Sequence, residues 1–198
     1  VVGLGTPWED GRALWVFGYG SLMYRVDFPI EAKVIGYIQG RKRAFLQKSH
    51  DHRGTPTQPG RVCTLVSNTE AEEEGDDKAV CWGVAYKVQS GMESKVKALL
   101  DHREKDGYSI EFVSVFTKAG SVISGVMVYV GVSTNPSFAS EEHESSIEHT
   151  ARVIARAEGP SGSNREYLYK LCDALRQHNG GVIDEYLVEL ERRVKEIE

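Results

Sequence analysis

Disulfide frameworks, long hydrophobic runs and an excess of basic charge are all missing from this chain of 198 residues. Its three cysteines, Cys63, Cys81 and Cys172, form no C-x-x-C pair, which predicts buried free thiols in a reducing compartment. No apolar run exceeds about six residues, too few for a transmembrane helix. The 24 basic and 29 acidic residues give a net charge of −5, which disfavours a nucleic-acid or anionic-membrane partner.

The composition is that of an ordinary folded protein, with 40% hydrophobic residues and 20 glycines. The first residues lack a basic segment followed by an apolar one, so no signal peptide is predicted. We therefore expect a soluble, cytoplasmic protein. Residues 1–13 show no periodicity and are predicted to form a flexible tail, and residues 14–198 are predicted to form one domain.

Short runs rich in β-branched and aromatic residues predict about seven strands. They cover residues 14–19, 33–40, 43–49, 61–67, 79–88, 108–117 and 122–131. Their short connections favour a curled or closed antiparallel sheet. The alternation of the sixth run shifts phase at Phe112 and Val113, which indicates a β-bulge or a strand end buried on both faces. The acidic residues 70–77 are predicted to be a solvated hairpin loop.

Helical patterns interrupt and then follow the strands, which makes the fold class α+β. One helix is predicted from a capping box of Ser90 and Glu93, with an apolar stripe and an end near Gly107. A second is predicted before Gly159, and a third from a capping box of Ser163 and Glu166. The apolar stripe of the first helix is Met92, Val96, Leu99 and Leu100. A terminal helix is also predicted, and it packs on the body of the protein or on a partner. Its apolar stripe is Ile183, Leu187, Leu190, Val194 and Ile197.

The segment Phe17–Leu22 (FGYGSL) follows the first predicted strand. Met23 stands where a dinucleotide fingerprint needs a glycine, and the G-x-S-x-G pattern of a nucleophile elbow is absent. Two readings remain. The segment is a plain tight turn, or it is a glycine-rich loop that directs backbone N–H groups at a ligand oxygen.

Two polar segments also carry groups capable of chemistry. In residues 100–108 (LDHREKDGY), Arg103 lies near the centre of the apolar stripe and Glu104 at its border, so the Glu104 carboxylate is either half-buried or solvated. In residues 49–56, His50 and His52 are candidate metal ligands without an evident third ligand. A polar loop containing an aspartate–arginine pair is the alternative for that segment.

Taken together and in order, four motifs resemble the ChaC-type γ-glutamylcyclotransferases, which act on glutathione. They are VFGYGSL (16–22), DHRGTP with PGR (51–56 and 59–61), LDHREKDGY (100–108) and GPSGSNREYL (159–168). The resemblance runs from about Leu14 to the C-terminus. One departure from the family pattern lies at residues 138–142 (FASEE), where relatives usually carry a Tyr-Leu-Gly-Pro-like stretch.

The resemblance implies a small closed antiparallel β-barrel with flanking helices, no cofactor and no metal. It also implies that glutathione is cleaved to 5-oxoproline and Cys-Gly. Motif matching assigns the catalytic carboxylate to Glu104 and the substrate-binding loop to Val16, Phe17, Gly18, Tyr19, Gly20 and Ser21. Two alternatives stay open: a non-catalytic γ-glutamyl-binding module, and a cyclotransferase for other γ-glutamyl amides.

Overall fold

The computed structural model describes residues 12–67, 79–104, 107–178 and 183–197. The acidic stretch 70–77 and nearly all of the predicted tail lie outside these residues. None of the described helices is both long enough and apolar enough to span a bilayer.

The predicted strands are all present. The strands are β1 (Trp15–Gly18), β2 (Ile30–Gln39), β3 (Arg41–Ser49), β4 (Gly60–Ser67), β5 (Val80–Val88), β6 (Tyr108–Phe116) and β7 (Val122–Gly131), followed by two short ones, β8 (Glu158–Gly159) and β9 (Gly162–Ser163). β3 and β4 pair with each other as a separate two-stranded sheet, as do β8 and β9. The β3–β4 hairpin therefore lies outside the barrel sheet, and its residues can line a cleft beside the barrel.

The predicted small closed barrel is confirmed, with the strand order β1-β5-β2-β6-β7. It is mixed rather than wholly antiparallel, because β1 pairs with β7 in parallel at Val16 and Met127. The reason is parity. The four other pairs in the ring are antiparallel, so β7 runs in the same direction as β1 and the closing pair has to be parallel.

The phase shift in the sixth run corresponds to an irregularity in the sheet. The register of β6 against β7 shifts between Val113 and Val115, as in a β-bulge. Val115 is fully buried, whereas Phe112 remains 47% exposed. The bulge therefore lets the two ends of one strand present different faces to the core.

Within the described part of the chain, five α-helices pack around the barrel: α1 (Glu93–Arg103), α2 (Glu142–Ser145), α3 (Ile147–Arg156), α4 (Asn164–His178) and α5 (Glu185–Ile197). The terminal helix α5 packs on α3 and α4 of the same chain, as one of the two predicted arrangements required. Leu187, Leu190 and Val194 are buried there, but Ile183 precedes the helix and is 71% exposed.

Two of the predicted helix starts differ in detail. The N-cap of α1 is Met92, and no side chain caps the helix there. The backbone N–H of Ser90 donates a hydrogen bond to the Glu31 carboxylate. Leu99 in the predicted stripe is exposed as well. At α4 half of the predicted capping box forms, since the Glu166 N–H donates to Ser163 Oγ at 3.4 Å. The Glu166 carboxylate points elsewhere because it ion-pairs with Arg53 and Lys170.

Candidate active site

A cleft of about 320 Å³ brings the sequence motifs together. It is bounded by the segment after β1, the end of α1, the β3–β4 hairpin and α4. The volume lies within the range of pockets for small molecules, about 300–1,000 Å³. Of the predicted site residues, Glu104, Phe17, Gly18, Tyr19, Gly20 and Ser21 line the cleft. Val16 does not line it; its side chain is fully buried in the core.

The loop after β1 is a tight turn, and its residues also line the cleft. A side-chain carbon on Gly18 would lie 2.6 Å from Leu22 Cβ, so only glycine fits at this point. A short 3-10 helix, Ser21–Met23, follows. Within the described residues, the N–H groups of Gly20, Ser21 and Leu22 reach no backbone or side-chain acceptor. These N–H groups are donors that a ligand oxygen can use.

Tyr19 is held at both of its polar groups. Its hydroxyl donates to the Tyr129 carbonyl at 2.7 Å, and its own carbonyl accepts from Arg43 Nε at 2.9 Å. The Arg43 guanidinium also contacts Asp184 and the Trp82 carbonyl. Burial, with added repulsion from Cys63 and Glu104, raises the pKa of Tyr19 well above its usual value. Tyr19 is therefore a neutral group that fixes the loop on the barrel.

Arg103 connects the loop to the end of α1. Its guanidinium donates to Ser21 Oγ at 3.1 Å and to Asp27 Oδ1 at 2.7 Å. Arg103 was predicted near the centre of the apolar stripe, and its long side chain reaches across to the loop from that position. The next residue, Glu104, lines the same cleft as the loop.

Glu104 is the C-cap of α1, and its N–H donates to the Leu100 carbonyl at 2.9 Å. It is half-buried, which is the first of the two alternatives that the sequence left open. Besides burial, which acts most strongly, the charge of Glu104 raises the pKa of both Tyr19 and Tyr129. The carboxylate accordingly lies near two aromatic hydroxyls on the cleft wall.

Tyr129 joins β7 to α1. Its hydroxyl donates to Asp101 Oδ1 at 2.6 Å, and Lys97 contacts the other carboxylate oxygen of Asp101 at 2.6 Å. Burial first, and then this hydrogen bond, raise the pKa of Tyr129. Burial acts to raise the pKa of Asp101, but the hydrogen bonds from Lys97 and Tyr129 outweigh it and lower the pKa overall.

The far wall of the cleft is formed by Arg53 and Tyr167. Arg53 donates to Glu166 Oε2 at 2.8 Å and to the Ser163 carbonyl at 3.0 Å, and its guanidinium lies 5.8 Å from the centre of the Tyr167 ring. The Tyr167 hydroxyl accepts from the Cys63 N–H at 3.3 Å. This wall combines an aromatic face with a fixed cation.

Asn164 explains why two distant motifs lie side by side. Its amide oxygen accepts from the Arg61 N–H at 2.6 Å, and its amide nitrogen donates to the Arg61 carbonyl at 2.7 Å. Asn164 is fully buried. The start of α4 is thereby fixed to β4, and Arg53, Ser163 and Glu166 are held together.

The other polar segments have defined positions as well. His52 is exposed at the cleft and its Nδ1 lies 3.2 Å from Ser161 Oγ. Among the described residues, no group of three or more His, Cys, Asp or Glu side chains is arranged to hold a metal ion.

All three cysteines are free and buried, as predicted, although Cys63 also lines the cleft. In the divergent stretch, Phe138 pairs with Gln47, another residue of the cleft wall.

Sequence reasoning missed several residues of the site. Tyr129 lies in a predicted strand, and Tyr24 lies outside every predicted element. Arg53 and Tyr167 lie in two of the recognised motifs, but the sequence assigned neither of them to the site. Arg53 and Glu166 are 113 positions apart, and Tyr129 and Asp101 are 28 apart. No periodicity relates positions at such separations, so only the tertiary structure joins them.

Comparisons with known proteins agree with this geometry. The profile of a family described as "ChaC-like protein" matches residues 14–197. Gamma-glutamylcyclotransferase 2-3 of Arabidopsis thaliana is 40% identical over 190 residues, which are 93% of this chain and 90% of the relative. The glutathione-specific gamma-glutamylcyclotransferase of Schizosaccharomyces pombe is 34% identical over 192 residues, 92% of this chain and 93% of the relative.

A solved structure shares the fold. It is the yeast gamma-glutamylcyclotransferase specific to glutathione, with a TM-score of 0.81 and 32% identity over 94% of this chain and 99% of the yeast chain. The family profile, the sequence relatives and this structure each cover nearly the whole chain. The chain belongs to the ChaC-like family.

Proposed function

We propose that this protein is a γ-glutamylcyclotransferase that cleaves glutathione to 5-oxoproline and Cys-Gly. The observation that carries the proposal is that Glu104, a half-buried residue, lines the same cleft as Gly20, Ser21 and Leu22, whose N–H groups have no acceptor among the described residues. The substrate assignment follows the relatives, whose names specify glutathione.

The reaction is an intramolecular acyl transfer. The α-amine of the substrate attacks its own γ-carbonyl carbon, a new C–N bond closes the five-membered lactam, and the γ-amide bond to Cys-Gly breaks. Because the nucleophile belongs to the substrate, the protein needs no nucleophilic serine or cysteine. It has to fold the γ-glutamyl chain into the attacking geometry, which can lower the barrier by several kcal/mol.

Glu104 serves as base and then as acid. Near neutral pH the α-amine is an ammonium group without a free electron pair, so it cannot attack until a base removes a proton. Glu104 takes this proton and returns it to the nitrogen of the leaving Cys-Gly. The attacking nitrogen loses a second proton when the lactam forms, and the released amine of Cys-Gly takes up this proton to become an ammonium group. Glu104 is half-buried in the cleft, near Tyr19 and Tyr129, where it is placed to exchange a proton with a bound substrate.

The loop after β1 stabilises the negative charge that develops on the γ-carbonyl oxygen. The N–H groups of Gly20, Ser21 and Leu22 are already oriented when the substrate binds, so they need no reorganisation in the transition state. Glycine at position 18 permits this tight turn, since a side chain there would collide with Leu22. This division of roles assigns charge stabilisation to the backbone and proton transfer to Glu104.

The proposal includes the remaining properties expected of the protein. It acts in the cytoplasm on a small-molecule substrate, without a nucleic-acid or membrane partner, and residues 14–198 form the catalytic domain. It needs no metal or nucleotide, so 5-oxoproline release should be unchanged after dialysis against EDTA. Inactivation by the chelator that zinc or manganese reverses would instead support His50 and His52 as ligands.

The test uses glutathione, N-acetyl-glutathione and γ-glutamyl-alanine, with products identified by mass spectrometry. Glutathione should give 5-oxoproline and Cys-Gly. The acetylated analogue should give no product, because its α-nitrogen is an amide without nucleophilicity, and it should inhibit competitively if it binds. Free glutamate as the main product, or Cys-Gly released from the acetylated analogue, would mean that Glu104 activates water. Equal turnover of γ-glutamyl-alanine would replace glutathione by a broader substrate class, and binding without turnover would indicate a binding module.

A further inference from the structure

Among the residues that the structure describes, four arginine and lysine side chains line the cleft, and three of these form ion pairs within the protein. The pairs are Lys48 with Glu144 at 2.9 Å, Arg53 with Glu166 at 2.8 Å and Arg103 with Asp27 at 2.7 Å. The fourth is Arg25. Its guanidinium forms no hydrogen bond or ion pair with any residue that the structure describes.

Arg25 stands at the outer edge of the cleft. Its N–H donates to the Ser21 carbonyl at 2.9 Å, which holds its backbone against the loop after β1. The residue is exposed, whereas Tyr19 and Leu22 on the same segment are buried. This segment therefore contributes two features to the cleft: the N–H groups of the loop and, at the exposed edge, the guanidinium group of Arg25.

Glutathione has a group that suits such a cation. Its γ-glutamyl end must lie at Glu104 and the loop N–H groups for the proposed reaction to occur. The carboxylate of its glycine then lies two residues further on, at most about 7 Å away in an extended chain. An arginine at the mouth can bind a carboxylate with two parallel hydrogen bonds.

We propose that Arg25 binds the C-terminal carboxylate of the tripeptide and favours glutathione over γ-glutamyl compounds that lack an anionic group at that distance. This proposal rests on the proposed function. The contact is remote from the reacting atoms and is the same before and during the reaction. It therefore lowers KM and leaves kcat unchanged.

The test compares glutathione with its C-terminal amide, which has nearly the same shape and one charge fewer. The wild-type protein should prefer glutathione in kcat/KM by about threefold to fivefold, the size of one solvent-accessible charged contact. Arg25→Gln should raise KM for glutathione by a similar factor and reduce the preference to less than about twofold. Arg25→Lys should keep part of the preference, and Arg152→Gln, a change of an exposed arginine on α3, should keep all of it.

Each other outcome has a definite meaning. An Arg25→Gln protein that still prefers glutathione over the amide as strongly as wild type overturns the proposal. So does an equal loss on both substrates, because it would show a role in the fold or in catalysis rather than in binding this charge. If the wild-type protein releases no 5-oxoproline from either substrate, the proposed function itself fails.

Discussion

The hydroxyl of Tyr129 donates a hydrogen bond of 2.6 Å to Asp101 Oδ1, and this bond ties barrel strand β7 to α1 three residues before Glu104. At the other side of the same helix end, Arg103 reaches Ser21 of the loop. The position of Glu104 therefore depends on two side-chain contacts that hold its helix between the barrel and the loop. Neither contact involves the carboxylate that we propose to be catalytic.

Tyr129→Phe removes only the oxygen that donates to Asp101. Since α1 then loses its hydrogen bond to β7, we expect kcat to fall by about tenfold or more while the protein stays folded. Steady-state kinetics and a thermal melt measure both effects. Tyr37→Phe is the matched control, because Tyr37 stacks on Phe116 on the barrel and lies outside the cleft.

A second pair of variants separates positioning from general stability. Asp101→Asn retains an acceptor oxygen for Tyr129, whereas Asp101→Leu does not. If Asp101 acts by holding Tyr129, the asparagine variant should recover most of the activity that the leucine variant loses. Equal loss in both variants, at equal melting temperatures, would contradict this positioning role.

The ion pair between Arg53 and Glu166 predicts a pH dependence of stability. Hydrogen bonds from Lys170 and Arg53 lower the pKa of Glu166 to about 2 in the folded protein. A lowered carboxylate pKa stabilises the fold above the pKa of the unfolded chain, about 4.3, and this stabilisation is lost as pH falls towards the folded value. We therefore expect Glu166→Gln to reduce the free energy of unfolding at pH 7 by less than about 1 kcal/mol, because the side chain is 43% exposed.

The measurement is urea unfolding of wild type and Glu166→Gln at pH 7, 5 and 3. The difference between the two proteins should be full at pH 7 and clearly smaller at pH 3. A difference that is constant across these pH values would show that the charge of Glu166 does not account for its effect.

Much of the fold follows from local pattern, because the seven longer strands are rich in β-branched and aromatic residues and the helices carry apolar stripes. The pairing of Val16 with Met127 is different in kind. It depends on which strands enter the ring, and no local pattern encodes that choice. The predicted N-cap at Ser90 is not formed, and here too a distant residue is involved. The backbone N–H of Ser90 donates to the carboxylate of Glu31 on β2, a contact that no local pattern indicates.

The site divides in the same way. The loop at Gly18 and the charged end of α1 are contiguous in the sequence, so their motifs could be recognised there. Arg53, Tyr129 and Tyr167 join the cleft only through contacts with residues far away in the chain. Their residue types are common in strands and loops, and nothing in their spacing distinguishes them from ordinary core or surface side chains.

The thiols give a prediction about chemical modification. Burial raises the pKa of Cys63 well above its usual value, and it raises the pKa of Cys81 to about 11 and of Cys172 to about 12. Because the thiolate is the reactive form, iodoacetamide at pH 7.5 should leave the folded protein active over a time that fully alkylates free cysteine. Mass spectrometry after partial reaction identifies the sites. Rapid inactivation at Cys63, prevented by γ-glutamyl-alanine, which has no thiol to consume the reagent, would show that Cys63 opens into the occupied cleft.

The most direct measurement is 5-oxoproline release from glutathione by Glu104→Gln. This change preserves the shape of the side chain but removes its ability to take the proton from the substrate ammonium group. We predict an unaltered melting temperature and a loss of turnover of at least about 10³-fold, the range for a lost general base with its electrostatic contribution. Asp27→Asn, which changes a carboxylate of the same cleft, should lose far less. A Glu104→Gln protein that folds normally and retains a tenth of wild-type turnover would contradict the account.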